Sequence, residues 1–461
     1  MRRPAALSGL WPEPRRVGRV EPQGLLTEME GKTMRTATIG LRCVRALAVL
    51  AAAGAMALAT PEAGAQNRRN RGNSGNQPAA TGASVLDGLM KRGRERDWTL
   101  TVTIQVNSVK NRDGNGMPIP ETMNLRTAAV VFPAIESFAS GVLDSERYKG
   151  ELRFNEKVVD DSHEFLSGYQ GGTRLARWTM TEQVGKDMTL VVTLPVTTWE
   201  TIFDENAAMA VPWPANWSDR ASSALQPDTI VNSNDPAVQA LVKRWTEGKD
   251  PKSIPPVRLA KFLAGKVMEH VQLSGNGLVA ADNGLLMGVG LQSVEETATS
   301  GRGSEHDMVV LLAAVYRAAG LPARTVIGYD VTGKKEKDNF LDKGRGSGSG
   351  MQLRGWVEFC LYDEGTKKEL WVPVDIVRMR GSSNRVPPLN RPWKYFGTHD
   401  ELENVIPFAL QYHPPTTVVA HGAYAFWGWL TTPEIPNVTQ FVRFNAITTP
   451  KRAGDRPRDQ R

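Results

Sequence analysis

The 461-residue chain is long enough for two or more domains with separate cores, and its 41% hydrophobic and 23% charged residues are those of an ordinary globular protein. Its formal net charge of +7 comes largely from arginine-rich stretches such as residues 67–71 and 451–461. No basic face interleaved with aromatic residues stands behind that charge, which argues against nucleic-acid binding.

The first readable element is an export signal. Met34 opens a basic segment with Arg35, Arg42 and Arg45, an Ala/Leu/Val run fills 46–59, and Ala63-Gly64-Ala65 offers a small-residue cleavage site. This order predicts a signal peptide over 34–65, cleavage near Ala65, and a periplasmic or secreted protein. Met34 is then the candidate start and residues 1–33 an upstream extension, with Met1 the alternative. The apolar run is short for a membrane span and no later stretch reaches the length, so no integral span is expected after cleavage. A retained anchor is the alternative. Of the two cysteines, Cys43 leaves with the signal, so the mature chain keeps Cys360 and has no internal disulfide.

Residues 66–94 are polar and Gly/Ser/Asn/Arg-rich at their start and are expected to form a flexible leader. From Trp98 the pattern alternates: Trp98, Leu100, Val102, Ile104 and Val106 share one side of a strand. Further strand-like runs at 128–132, 152–154, 175–180 and 188–196 predict an antiparallel β-sandwich-like domain over 95–205. A connection, 206–234, follows, with Trp213 and Trp217 packing on the surface.

Helical periodicity begins at Asp235-Pro236, an N-cap acid followed by proline at the first helical position. A second amphipathic helix starts at Pro255-Pro256, and a third, apolar on most sides, runs from about Glu305 to Ala319 and should be central to its domain. Strands are expected at 324–329, 354–361 and 369–375, with a charged, Gly/Ser-rich insertion at 334–350 as a mobile loop. Helices first and antiparallel strands afterwards give an α+β domain over 235–415. Residues 416–448 are expected as a C-terminal extension packing on that domain, and 449–461 as a disordered basic tail.

The phrases Gly303-Ser304-Glu305-His306-Asp307 and Arg317-Ala318-Ala319-Gly320-Leu321-Pro322-Ala323-Arg324 stand in order with Val326-Ile327-Gly328-Tyr329, Gly355-Trp356-Val357-Glu358 and Leu370-Trp371-Val372-Pro373-Val374-Asp375. Together with Tyr395-Phe396-Gly397, this series resembles the transglutaminase-like superfamily, which has a papain-type fold. The resemblance implies a nucleophilic Cys at the start of the central helix, a His on the next strand and an Asp after that. Helix-end amides and the imidazolium lower the thiol pKa, and the Asp orients the His.

At the matching positions this chain has Glu305, Arg354 and Asp375. A carboxylate is a poor substitute for a thiolate, and a guanidinium does not release its proton at any working pH. A non-catalytic binding or scaffolding module, a pseudoenzyme, is therefore expected, with an extended peptide, protein or cell-wall peptide as partner. Trp356, Trp371 and Trp393 are candidate cleft-lining residues, core packing being the alternative. The competing function is a cysteine-independent hydrolase or acyltransferase on peptide or amide substrates, with Glu305 and Asp375 or Asp307 as acid and base.

Ser304 with Asp307 is expected to form a capping box, and Cys360 to be a buried core thiol. His270, His399, His413 and His421 show no metal-ligand spacing, so neither a metal nor a cofactor is expected. Finally, Glu305 and Arg354 carry the signs of the missing thiolate and imidazolium, and a salt bridge between them, with Asp375 contacting the arginine, is expected. The alternative leaves both in solvent.

Overall fold

The computed structural model describes residues 83–114, 118–280, 286–332, 353–383, 385–416, 423–435 and 437–448. The expected signal segment, most of the leader, the 334–350 insertion, His421 and the basic tail lie outside the described residues.

The alternating run around Trp98 forms the long strand Met90–Arg112, in which Leu100, Val102, Ile104 and Val106 are buried. Along one edge it pairs antiparallel with Asp187–Phe203, Leu100 opposite Leu194 and Ile104 opposite Leu190. A second sheet places Met123–Pro133 between Leu175–Gly185 and Gly428–Thr432. Phe132, Leu152, Phe154 and Trp178 fill the core that these sheets share. Gly150 has no side chain because the Trp178 ring occupies the place of a Cβ.

The C-terminal segment reaches both parts: Phe444 stacks on Tyr329 and Phe426 stands edge-on to Phe408, and the same segment also pairs with the sandwich. Val438–Thr448 runs along the other edge of the first strand, Val102 opposite Phe444, and Gly428–Thr432 completes the second sheet. Residues expected to pack on the second domain thus also supply two strands to the sandwich. The physical reason is hydrogen-bonding: the free edge of the long strand needs a partner, and Gln440, Val442, Phe444 and Ala446 alternate as a strand requires. Leu286–Val289 joins the far edge of Val438–Thr448 through Leu286 opposite Val442, so the sheet carries on into the helical part.

In that part, Asp235 caps the helix Pro236–Trp245 by accepting from the Ala237 N–H, and Val238, Leu241 and Val242 are buried. Pro256–His270 lies beside the central helix, Glu305–Ala318, whose residues from His306 to Arg317 are all buried. Truncating one of its core leucines, such as Leu311, would cost about 2–5 kcal/mol. An antiparallel sheet follows, in the order Lys368–Val374, Leu353–Asp363, Ala323–Asp330, Val405–Ala409. The chain is therefore α+β.

The sheet has two buried faces. From Leu353–Asp363, Phe359 meets the ring of Tyr316 on the central helix, centroids 5.9 Å apart. Trp356, two strand positions from Glu358, points the other way and packs with Ile135 and Phe138 of the sandwich. The two parts are further joined by backbone hydrogen bonds between Thr201 and His399, 3.1 and 2.8 Å, and by a buried Lys261–Glu205 ion pair.

Candidate functional site

The central helix begins with a capping box. The Ser304 hydroxyl accepts from the Asp307 N–H at 3.1 Å, and the Asp307 carboxylate accepts from the Ser304 N–H at 2.8 Å and from its hydroxyl at 2.8 Å. Ser304 is buried and committed to the cap, as the spacing of the two residues implies. Glu305, half-buried in the first turn, gives its backbone N–H to Gly275 O at 3.1 Å.

His306 turns inward, its Nδ1 2.9 Å from the Tyr412 hydroxyl. Burial alone pushes its imidazole down to about 4, so it is neutral at ordinary pH. Gly355 makes room for this pair, since a Cβ there would lie 2.6 Å from the Tyr412 oxygen and 3.2 Å from His306 Nδ1. Ser304 and His306 therefore have separate partners and form no hydroxyl–base pair.

Strand alternation decides where Arg354 goes. Gly355 faces the central helix, so Arg354 takes the opposite face, with Trp356 and Glu358. Its Nε and Nη2 reach Asp375 Oδ2 at 2.8 and 2.7 Å, Nη1 reaches Asp330 Oδ2 at 3.3 Å, and Nη2 reaches Glu401 Oε2 at 3.3 Å. Among the described residues these three carboxylates, and not that of Glu305, are its ion-pair partners. The expected contact with Asp375 is present. The expected bridge to Glu305 is not, because the strand's pleat turns the guanidinium away from the helix start.

Asp375 is the N-cap of the helix Ile376–Ser382 and accepts from the Arg378 N–H at 2.9 Å through Oδ1. Its burial is complete, which by itself would raise its pKa. The Arg354 charge and the His399 hydrogen bond outweigh that and hold it well below the usual carboxylate range. Burial likewise opposes the Arg354 charge, but Asp375, Asp330 and Glu401 together raise its pKa further. His399 stands 3.2 Å from Asp375 Oδ2 and 3.0 Å from Arg354 Nη2 through Nε2. Its Nδ1 accepts from the Glu401 N–H at 3.3 Å, which assigns the proton to Nε2. Burial lowers its pKa and keeps it neutral. Tyr395 closes the cluster by donating to Glu401 Oε1 at 2.9 Å.

Asp330 and Glu401 were not singled out from the sequence, and His399 was weighed there only as a metal ligand. The only hint was position: Asp330 follows the quoted Tyr329, and His399 and Glu401 follow the Tyr395-Phe396-Gly397 phrase.

Cys360 lies farther along the Arg354 strand in an apolar cluster with Ala221, Ala224, Tyr362 and Trp371. Burial drives its thiol pKa far above the ordinary value, the opposite of what a nucleophile needs. Trp356 and Trp371 are buried in the packed interior; Trp371 carries the Arg324 guanidinium 4.2 Å above its ring. Trp393 is also buried, with Nε1 donating to Pro388 O at 3.0 Å, and borders a cavity with Phe203 and Phe396.

Of the other histidines, His270 bonds Ala298 O at 2.8 Å and His413 stands edge-on to Tyr424. Among the described residues no group of three or more His, Cys, Asp or Glu could hold a metal ion. Chemically, then, the three matching positions offer a half-buried carboxylate, a guanidinium clamped by carboxylates, and a carboxylate already saturated by that guanidinium.

Residues 239–376 match the transglutaminase-like superfamily. No curated protein matches the chain. A solved structure of a candidate cysteine protease from Cytophaga hutchinsonii aligns at 13% identity over 79% of this chain and 94% of that one, with a TM-score of 0.46. The periplasmic domain of TgpA from Pseudomonas aeruginosa aligns at 14% identity over 62% and 91%, TM-score 0.27. A red sea bream transglutaminase aligns at 13% over 60% and 50%, TM-score 0.24. Among the described residues no helix is long and apolar enough to cross a membrane.

Proposed function

This chain carries a transglutaminase-like domain, and from that premise we propose that it is an exported, catalytically inactive member that binds an extended peptide, a protein or a cell-wall peptide, or scaffolds one. One observation carries the inactivity: the residue where a general base is needed, Arg354, is held by Asp375 at 2.7 Å and two further carboxylates. A guanidinium so placed neither accepts a proton nor activates a nucleophile. Glu305 at the helix start supplies no thiolate, and the remaining thiol, Cys360, is buried.

Export rests on the basic, apolar and small-residue order of 34–65, and N-terminal sequencing of the secreted or periplasmic product should begin near Gln66. Peptide binding rests on the cleft that a papain-type domain offers beside its central helix.

The test is paired. The mature protein is incubated with glutamine-containing donor peptides plus a fluorescent amine, and with peptide amides. No turnover is expected, and turnover would favour the cysteine-independent enzyme. The Glu305→Cys/Arg354→His double variant under the same assay should stay inactive as well, because the pleat that turns Arg354 away from the helix start would turn the imidazole away from the new thiol. Turnover by a folded double variant would instead bring positions 305 and 354 within reach of each other and refute that geometry.

A further inference from the structure

Away from the triad-equivalent positions, the sandwich loop around Gly168–Thr173 folds against the short helix Asp219–Ser223. Between them lies a crevice of about 590 Å³ whose walls include Phe165, Tyr169, Thr173, Arg174, Arg220 and Arg324. That volume is in the range of small-molecule and short-peptide sites.

The ground is positive and most of its donors are spoken for. Arg324 gives Nε and Nη2 to Glu358, at 2.9 and 2.6 Å, and Nη1 to Gly171 O at 3.2 Å. Arg174 lies over the Phe165 ring, 4.2 Å from its centroid, and donates to Ala134 O and Ser145 Oγ at 2.8 and 2.9 Å and to Glu136. Two donors are left over. The hydroxyl of Thr173, a residue only 4% exposed, has no partner, and neither has the Arg220 Nε–H. The latter lies 3.3 Å from Glu369 Oε2 but is not aligned to bond it.

The two are neighbours by construction. Gly172, at φ +86°, lets the guanidine pack where a Cβ would come within 3.3 Å of Arg220 Nε, immediately before Thr173 in the chain. Glycine is needed there twice over, for the left-handed backbone and for the close approach.

An unpaired buried donor is costly, and an acceptor brought by a ligand removes that cost. We propose that this crevice is a binding site for a singly charged carboxylate on a ligand of short-peptide size, with Thr173 and Arg220 donating to the carboxylate and Phe165 and Tyr169 flanking the body. The lining carboxylates Glu136 and Asp219, with Glu369 beside Arg220, disfavour a dianion such as a phosphate ester. The carboxylate could belong to a peptide C-terminus or to an acidic side chain.

Three probes separate these sources: acetyl-trialanine, its C-terminal amide, and acetyl-Ala-Glu-Ala-amide, titrated into the mature full chain by calorimetry and ligand-observed NMR. Saturable binding of at least one carboxylate peptide is expected, with the trialanine amide about tenfold weaker or silent. If only the acid binds, the C-terminus is the ligand; if the glutamate peptide binds too, a side-chain carboxylate serves. Thr173→Val should weaken binding about fivefold or more without lowering the melting temperature, because the hydroxyl it removes has no partner. Arg220→Gln should abolish it. Failure of both carboxylate peptides to saturate by about 10 mM, equal binding of the acid and its amide, or binding untouched by both substitutions would overturn the proposal. None of these readouts depends on the state of the triad-equivalent residues.

Discussion

Replacing Arg354 by alanine is the sharpest test of the carboxylate clamp. The side chain is 8% exposed and its main partner Asp375 is fully buried, while Asp330 is 10% exposed. Removing one member of such a buried pair leaves an uncompensated charge and costs about 3–5 kcal/mol. Glu401, a third exposed, adds little. With roughly 330 described residues and about 2.1 cal/mol/K of unfolding entropy per residue, that loss lowers the melting temperature by about 4–7 °C if unfolding is a single transition.

The pH dependence of this loss has a fixed sign. In the native protein the folded pKa of Asp375 is depressed, so its stabilisation is present above the unfolded value and is lost as pH falls through the folded one. In the variant the arginine's pull is gone and burial dominates, so the folded pKa moves above the unfolded value and protonation relieves the penalty. The gap between wild type and variant should therefore narrow from pH 7.5 toward pH 4, measured by circular-dichroism melts at both. Adding Asp375→Asn to the variant should recover part of the loss. A variant melting within about 1 °C of wild type at pH 7.5, or a gap that widens in acid, would refute the clamp.

Three further outcomes follow from single residues. Cys360, the free and buried cysteine among the described residues, should resist iodoacetamide at pH 8 in the native protein and react fully in urea, as mass spectrometry would show. His306, with its pKa pushed down to about 4, takes up its proton in the unfolded chain first, so native stability should fall as pH drops from about 6.5 to 4. His306→Gln should flatten that slope in melts against pH. Arg324→Met alone should cost about 3–5 kcal/mol in urea titrations, since it strands the fully buried Glu358, whereas Arg324→Met with Glu358→Leu should return most of it.

The regular elements were legible because their signals are local. Alternation from Trp98 to Val106 gives the long strand, Asp235-Pro236 starts a helix, and Ser304 with Asp307 caps another. The site was legible only in part. Which carboxylates gather on Arg354 depends on the pleat of its own strand and on a loop that brings His399 and Glu401 back through backbone bonds to Thr201. Neither leaves a periodic mark in the sequence. The C-terminal strands escaped for a related reason: their partners lie at the opposite end of the chain, and only the unfilled edge of the first strand, visible after folding, calls for them.

Two arginine–carboxylate pairs on one sheet now bear on each other. In the first, both Arg324 Nε and Nη2 converge on a single oxygen of Glu358, at 2.9 and 2.6 Å, while its other oxygen accepts the Ala139 N–H at 2.9 Å. In the second, Arg354 Nε and Nη2 converge on one oxygen of Asp375, at 2.8 and 2.7 Å, and the other accepts the Arg378 N–H at 2.9 Å. Arg324 ties the sheet to the sandwich loop through Gly171 O and Ser137 O. Arg354, bonded in the same pattern, ties the sheet to the helix after Asp375 and to the Glu401 loop. A side chain that makes every contact of a structural clamp, and whose charge three carboxylates reinforce, does by geometry the opposite of what a proton-transferring ring must do: it fixes the aspartate instead of being oriented by it.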